Sequence, residues 1–488
     1  MFTNIHCKFC INSLLGILTL FILPINAAEL SVRKNQVTLS FEKAIRTAQQ
    51  NDPWLTGNVH KQRSVEALSM AVNSLPDPKV SIGLANLPTD GFDFTQEGMT
   101  QAKVGISQIF PRGDTLAIKS QQLKIQSEAF PYQRKNRKAK VTVTVGSLWL
   151  DAYRVQQSIA LIEKNRTLFE QLVDVAEASY SSAVGKTRQQ DLIRAQLELT
   201  RLDDRLDKLA QQKNQYEGML SQWLIKLKAD NKLKNSTTSS TVDFYNIVLS
   251  KKMPQIDLLN TELFNAKNKL QPQKLASYFT QHPSVIAMDK KVTSTKEGIK
   301  LAEQKYLPEW GVSASYGYRG DDAMANSRAD LFSIGVTFDL PLFTQNKQDK
   351  EIQSAIAVTE VIKTEKLLLI RKLLGSYLTA KGILLRLKDR QMLYKSKLLP
   401  QIHDQAEASL TAYTHDDGDF SDVVRARIAV LNAEIDELTI DVEEQKIHLE
   451  LNYLLLGSIS DSSKAAINKN KTSLIYHNQY ATILGEKQ

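Results

Sequence analysis

The sequence predicts a mainly α-helical protein with a small β part, built from two copies of a long helical hairpin. Each copy is preceded by a pair of strands. Three observations carry that prediction. Residues 113–183 read as one continuous helix, holding no proline except Pro131 and, past Gly113, no glycine except Gly146. The chain also matches itself at an offset of 230 residues, which carries Pro53 onto Pro283, Pro78 onto Pro308, Gly105 onto Gly335 and Pro111 onto Pro341. Finally, four short segments alternate between apolar residues and small or polar ones.

The long helix has a seam. Val145, Leu148, Ala152, Val155, Ile159, Ile162, Phe169, Val173, Ala176 and Tyr180 fall at steps of three and four, and only Arg166 interrupts them. A period near 3.5 asks for a partner helix. At 1.5 Å per residue the run would reach roughly 105 Å, over three times a bilayer's ~30 Å hydrocarbon core. Its outer faces carry Lys, Arg, Glu and Gln, so this helix is expected to cross water and not lipid.

The N-terminus reads as a secretory signal over residues 1–28: Lys8, an apolar run over residues 11–25, then Ala27 and Ala28. The run is short for a membrane anchor. Both cysteines, Cys7 and Cys10, lie inside it, so the mature chain is expected to have no thiol chemistry. The formal charge is +9. Its densest basic cluster (Arg134, Lys135, Arg137, Lys138 and Lys140) lies on the long helix without interleaved aromatics, which suits a solvated face and not a nucleic-acid surface.

The first repeat occupies residues 29–228 and the second residues 272–458. The segment between them, residues 229–271, is polar, with a short helical piece expected over residues 254–270. Residues 459–488 form a polar tail. Ser40 is placed to cap a helix over residues 41–73, which Pro76 and Pro78 stop. In the first strand pair Val80, Ile82, Leu84, Val104 and Ile106 alternate with Ser81, Gly83, Gly105 and Ser107. In the second, Trp310, Val312, Ala314, Tyr316 and Tyr318, then Phe332, Ile334, Val336, Phe338 and Leu340, alternate with Gly311, Ser313, Ser315, Gly317, Ser333, Gly335 and Thr337.

Such alternation fits either a soluble sheet on a core or a membrane barrel showing its apolar face to lipid. No other helix-sized apolar segment is available to cover a soluble sheet. Four strands cannot close a barrel, and an open edge in lipid leaves unpaired backbone groups costing several kcal/mol each. On the barrel reading, copies of the chain must therefore pool their strands.

Return helices follow. One runs over residues 189–227 with a seam through Leu192, Ala195, Leu199, Leu202, Leu206, Leu209, Lys213, Tyr216, Leu220, Trp223 and Leu227. Its second-half counterpart, after a long helix over residues 346–412, uses Val424, Ile428, Leu431, Ile435, Leu438, Val442, Gln445 and Leu449. The hairpin tips fall at residues 184–188, with Gly185, Lys186 and Arg188, and at residues 414–420, with Asp416, Asp417, Gly418 and Asp419. Asp and Gly favour turns, so the acidic tip has a plain reading as a solvated loop. Gathered round an axis, its carboxylates would instead favour cations at a narrow mouth, or pair with Lys186 and Arg188.

Several stretches resemble the TolC-type outer-membrane efflux duct family: "LSFEKAIRTAQQNDPWL" (residues 39–55), "VGKTRQQDLIRAQLELTRLDDRL" (residues 184–206) and "LNYLLLG" (residues 451–457). "LPDPKVSIGLANLPTDGFDFTQEGMTQAKVGISQIFPRGD" (residues 75–114) resembles its heavy-metal resistance-nodulation-division (CzcC/CusC-like) branch. The second tip, "YTHDDGDFSDVVRAR", is less regular than the first. The resemblance implies a homotrimer with a twelve-stranded barrel in outer-membrane lipid and a tapered α-barrel in the periplasm. It also implies a periplasmic adaptor (membrane fusion protein) and an inner-membrane resistance-nodulation-division pump as partners.

The sequence shows no P-loop, G-x-S-x-G elbow or H-E-x-x-H. His60, His282, His403, His415, His448 and His477 are scattered singly, and no cofactor, metal site or nucleic-acid partner is expected. The functional expectation is a passive exit duct and not an enzyme. A type I protein secretion duct or a multidrug duct shares the whole architecture. A coiled-coil adaptor leaves the two equivalent strand pairs unexplained.

Overall fold

The computed structural model describes residues 38–181, 188–225, 248–259, 272–322, 324–415 and 417–457. The expected signal segment, the tail over residues 459–488 and Leu227 of the first return helix lie outside them. Strand β1 (Thr38–Leu39) leads into α1 (Phe41–Asn51), where Ser40 Oγ accepts from the Lys43 N–H at 3.3 Å. The expected single helix over residues 41–73 is broken at Asp52, and α2 spans Pro53–Ala71. Pro53 lacks an N–H and pushes its predecessor out of helical backbone, so Asp52 sits at φ −70°, ψ 105°. Asp52 then becomes the cap: Oδ1 accepts from Trp54 N–H at 3.1 Å and Oδ2 from Arg137 Nε at 2.7 Å.

Strands β2 (Lys79–Ala85) and β3 (Gln101–Phe110) follow. The expected 113–183 helix is in fact two helices, α3 (Thr115–Ser127) and α4 (Ala129–Ser181). Pro131 cannot donate to the Ser127 carbonyl, and the ladder breaks at Glu128. The seam survives: Val145, Ala152, Val155, Ile162, Phe169 and Ala176 are buried. Tyr180 is exposed. Arg166, the interruption, reaches outward to Asp203 of α5 (Gln189–Leu224) at 2.7 Å and to Glu170 at 3.0 Å.

Strand β4 (Val248–Leu249) pairs in parallel with β1, and residues 251–259 run on as an extended strap. The helical piece expected from residue 254 is not formed over 254–259, and its remainder, 260–270, lies outside the described residues. Side chains explain the extended course by taking the strap's backbone groups. Gln445 Oε1 accepts from Ile256 N–H at 2.8 Å, and Asn452 accepts from Leu259 N–H at 2.9 Å while donating to Asp257 O at 2.8 Å.

The second repeat opens with α6 (Pro272–Phe279) and α7 (Pro283–Glu303). His282 occupies the place of Asp52. Its Nδ1 accepts from Ser284 N–H at 3.3 Å, which leaves Nε2 to donate to Tyr453 O at 3.1 Å. Burial pushes the imidazole down to about 4 and the neighbouring Tyr453 phenol up to about 12. Both ring nitrogens are thus committed to a neutral cap.

Strands β5 (Trp310–Tyr318) and β6 (Leu331–Phe338) precede α8 (Gln348–Leu393), α9 (Leu399–Thr414) and α10 (Phe420–Leu454). The long helix expected over residues 346–412 widens into a π-turn at Tyr394–Leu398. Pro400 accounts for it, since its ring needs clearance from the preceding turn and it supplies no N–H. The halves share their order of elements, but their long helices are interrupted at different places.

One buried cluster joins α1, α4, α5, β4 and α10 round Trp149, whose Nε1 donates to Leu39 O at 3.1 Å. Gly146 lies beside it because a Cβ there would come within 2.7 Å of Leu449 Cδ1 and 3.1 Å of the Phe41 ring. A second cluster joins α6, α8 and α10 round Phe279 and Tyr377. A third runs along α4, α5 and α10 to the tips.

Candidate functional site

The sheet order is β2-β3-β5-β6, antiparallel throughout. Its register aligns the two repeats residue by residue. Val80 pairs with Ile106, Ile106 with Ala314 and Ala314 with Ile334; Ile82, Val104, Tyr316 and Phe332 form the next row. Because strand side chains alternate, these even-numbered residues share one face. The opposite face carries Ser81, Gly105, Ser315 and Ser333 in one row, and Ser107, Ser313 and Gly335 in another. Lys103 also stands there, between Gly83 and Gly317. The alternation in the sequence hides this lysine, since only register places it against two glycines.

The apolar face is bare within the chain. Ile82 is 82% exposed, Ile334 70% and Val336 58%. Aromatics bracket this aliphatic band. At the helix end Trp310 packs on Phe338 with ring centroids 4.9 Å apart, and Phe110 pairs opposite Trp310. At the loop end stand Tyr316, Tyr318 and Phe332, with Phe94 stacked on Tyr318 at 6.4 Å. At ~3.4 Å per residue the strand from Trp310 to Tyr318 is roughly 27 Å long, near the hydrocarbon thickness of a bilayer. Gln108 is the polar exception on this face. It lies near the helix end, where its Nε2 donates to Pro76 O at 2.8 Å.

Contacts between repeats hold the sheet square. Arg112 pairs with Asp339 and donates to Leu307 O at 2.9 Å; at the other end Arg319 donates to Gly98 O at 3.1 Å and Arg328 to Glu97 O at 3.2 Å. Strands β2 and β6 are left as edges, running in opposite directions. Among the described residues no helix is long and apolar enough to cross a membrane, and no three His, Cys, Asp or Glu side chains gather as a metal site.

The other expected site is the pair of tips. Gly185, Lys186 and Asp416 lie outside the described residues. Arg188 is the N-cap residue of α5, its N–H donating to Asp191 Oδ2 at 3.1 Å. Asp419 takes the same place on α10, and Asp417 N–H donates to Ala412 O at 2.9 Å. Gly418 is needed there: a Cβ would meet the backbone nitrogen of Tyr413 at 2.9 Å. The tips lie at one end of the molecule, because Tyr413 and Phe420 share a cluster with Ala176, Leu192 and Ala195. Asp417 and Asp419 are exposed, and among the described residues Arg188 is ion-paired to neither.

No protein-family model matches the chain, and no curated protein matches it. Solved structures do. The chain is similar to CusC, known from crystal structures of its folding and transmembrane channel formation, with a TM-score of 0.66 over 86% of this chain and 92% of that one. Its fold is that of an outer-membrane channel. Comparable similarity extends to VceC of Vibrio cholerae (TM-score 0.65, covering 86% and 96% of the two chains) and to the open state of MtrE of Neisseria gonorrhoeae (0.64, covering 85% and 88%). Identities are 13%, 13% and 14% respectively. The likeness therefore lives in the arrangement of strands and hairpins and not in shared side chains.

Proposed function

We propose that the chain is one protomer of a homotrimeric, TolC-type efflux duct of the outer membrane, with its helices in the periplasm. The observation that carries this reading is the four-stranded register, apolar on one face, serine and glycine on the other, and open at both edges. An even number of antiparallel strands lets β6 of one copy pair antiparallel with β2 of the next. Three copies then give twelve strands and leave no edge. Native mass measurement in mild detergent is expected to give trimers. A monodisperse monomer with full strand content would overturn the proposal.

The duct is passive and takes what an inner-membrane resistance-nodulation-division pump delivers through a periplasmic adaptor. Residues 75–114 support heavy-metal cations as the cargo. A deletion strain is expected to become sensitive to copper, silver, zinc, cobalt or cadmium while keeping its tolerance of a drug panel. The reverse pattern would assign it to multidrug efflux, and full tolerance of both would favour protein secretion.

At the periplasmic mouth, Asp416, Asp417 and Asp419 from three copies act as a cation-favouring gate, with Gly185, Lys186, Arg188 and Gly418 as tip contacts. Replacing the three aspartates together with asparagine is expected to lower cation selectivity in planar bilayers and to change single-channel conductance. An assembled triple variant with unaltered conductance and selectivity would leave them as turn formers.

A further inference from the structure

A cavity of about 880 Å³ opens between α2, the start of α4, and α7. It lies away from the strand quartet and from the tips, and nothing in the duct reading uses it. Its wall is two-sided in chemistry. Trp54, Phe130, Met288 and Leu369 supply an apolar surface, while Lys61, Arg137, Lys140 and Lys291 supply four cations; no carboxylate lines it. Two of those cations are neutralised just outside the wall, Arg137 by Asp52 at 2.7 Å and Lys291 by Glu365 at 3.3 Å. Lys61 and Lys140 have no carboxylate partner among the described residues.

The remaining polar groups offer donors. Gln133 uses its Oε1 to accept from Asn58 Nδ2 at 3.0 Å, and Asn136 uses its Oδ1 to accept from the Tyr453 hydroxyl at 3.0 Å. Both residues line the cavity, and each keeps an amide NH₂ that its oxygen's bond does not use. The first turns of α2 and α7 border the same space, but Trp54 N–H and Ser284 N–H are already capped by Asp52 and His282. Donors for an anion are therefore the two lysines and the side-chain amides of Gln126, Gln133 and Asn136. Arg137 is otherwise engaged, its guanidinium 5.7 Å from the centre of the Trp54 ring and 5.4 Å from that of Trp223.

We propose that this cavity binds an amphipathic organic anion, its apolar body against Trp54, Phe130 and Met288 and its charged group between Lys61 and Lys140. The volume falls in the range of small-molecule pockets and far exceeds that of an inorganic anion. An apolar wall with two uncompensated cations selects a molecule of both characters. Either a soluble aromatic acid or an anionic lipid has that chemistry.

The test uses the full assembled protein exchanged into amphipathic polymer. Anilinonaphthalene sulfonate is titrated against it, with phenylnaphthylamine as the same ring system lacking the sulfonate. The sulfonate is expected to bind more tightly than the neutral compound. The double variant Lys61→Glu/Lys140→Glu should weaken sulfonate binding by about tenfold or more, the loss of at least one charge-assisted contact, and leave the neutral compound unaffected. Met288→Trp should weaken both by filling the apolar side, while Lys208→Glu, on α5, should change neither.

Displacement of the sulfonate by short-chain phosphatidylglycerol and not by naphthoate marks a lipid as the source, and the converse marks a soluble acid; both uphold the site. Equal binding of the two probes to the unmodified protein would overturn the proposal. So would unchanged sulfonate binding in the double lysine variant, or displacement of the probe by inorganic phosphate alone.

Discussion

Ile334→Arg is expected to abolish most insertion and assembly, whereas Ser333→Arg is tolerated. The two positions are neighbours on β6 and differ only in face. Ile334 pairs with Ala314 in the aliphatic band, one row in from the Tyr316–Phe332 pair and two rows from the Trp310–Phe338 pair, so it lies between the two aromatic ends. A guanidinium there lies among Ala314, Val336 and the Phe332 ring, an apolar surface with no carboxylate in the rows beside it. Near a bilayer midplane it costs roughly 2–4 kcal/mol per copy, and a trimer bears that three times. Ser333 pairs with Ser315, beyond which lies Gly105, a row of small residues that leaves space for a long polar side chain. Assembly is read as the trimer fraction recovered from membranes. Equal recovery of the two variants would count against the barrel.

The second large effect is Trp149→Ala. Trp149 is fully buried, edge-on to Phe41 at 5.5 Å and stacked on Tyr153 at 5.5 Å, and its indole N–H satisfies the Leu39 carbonyl. Truncation removes the ring from the junction of α1, α4 and β1 and leaves the Leu39 carbonyl with only the longer bond from Ser250 N–H, at 3.4 Å. The expected loss is about 3–5 kcal/mol, seen as a lower denaturant midpoint. Trp54→Ala, at a residue 41% exposed, should cost much less. Equal losses would mean that the Trp149 cluster does not anchor the first repeat.

The strand faces and helix seams are legible in the sequence because burial and exposure repeat with the periods of strand and helix. Val145 to Ala176, or Val80 to Leu84, need no distant partner to show it. The helix breaks are less legible. Pro131 and Pro400 are the available signals, and Pro53 with Pro283 marks both caps, but the seams run on through such interruptions. The strap reads as helix from residue 254 because its backbone partners, Gln445 and Asn452, lie far along the chain. The same applies to the cavity, where Lys61, Lys140 and Met288 meet only in three dimensions. At the tips, composition identifies Asp417 and Asp419, but not that Asp419 stands at the N-cap of α10.

The strap also has a kinetic consequence. The cluster round Trp149 includes Leu249 from β4, Ile256 from the strap, and Val442 and Leu449 from α10, and Ile256 is bonded to a side chain 189 residues away. The N-terminal half therefore lacks part of its own interior until nearly the last helix has been made. Such distant closure slows folding, since loop entropy is lost before the contacts that offset it can form. The second repeat has its own cluster round Phe279 and Tyr377, so it is the first repeat whose interior is completed only with α10 in place.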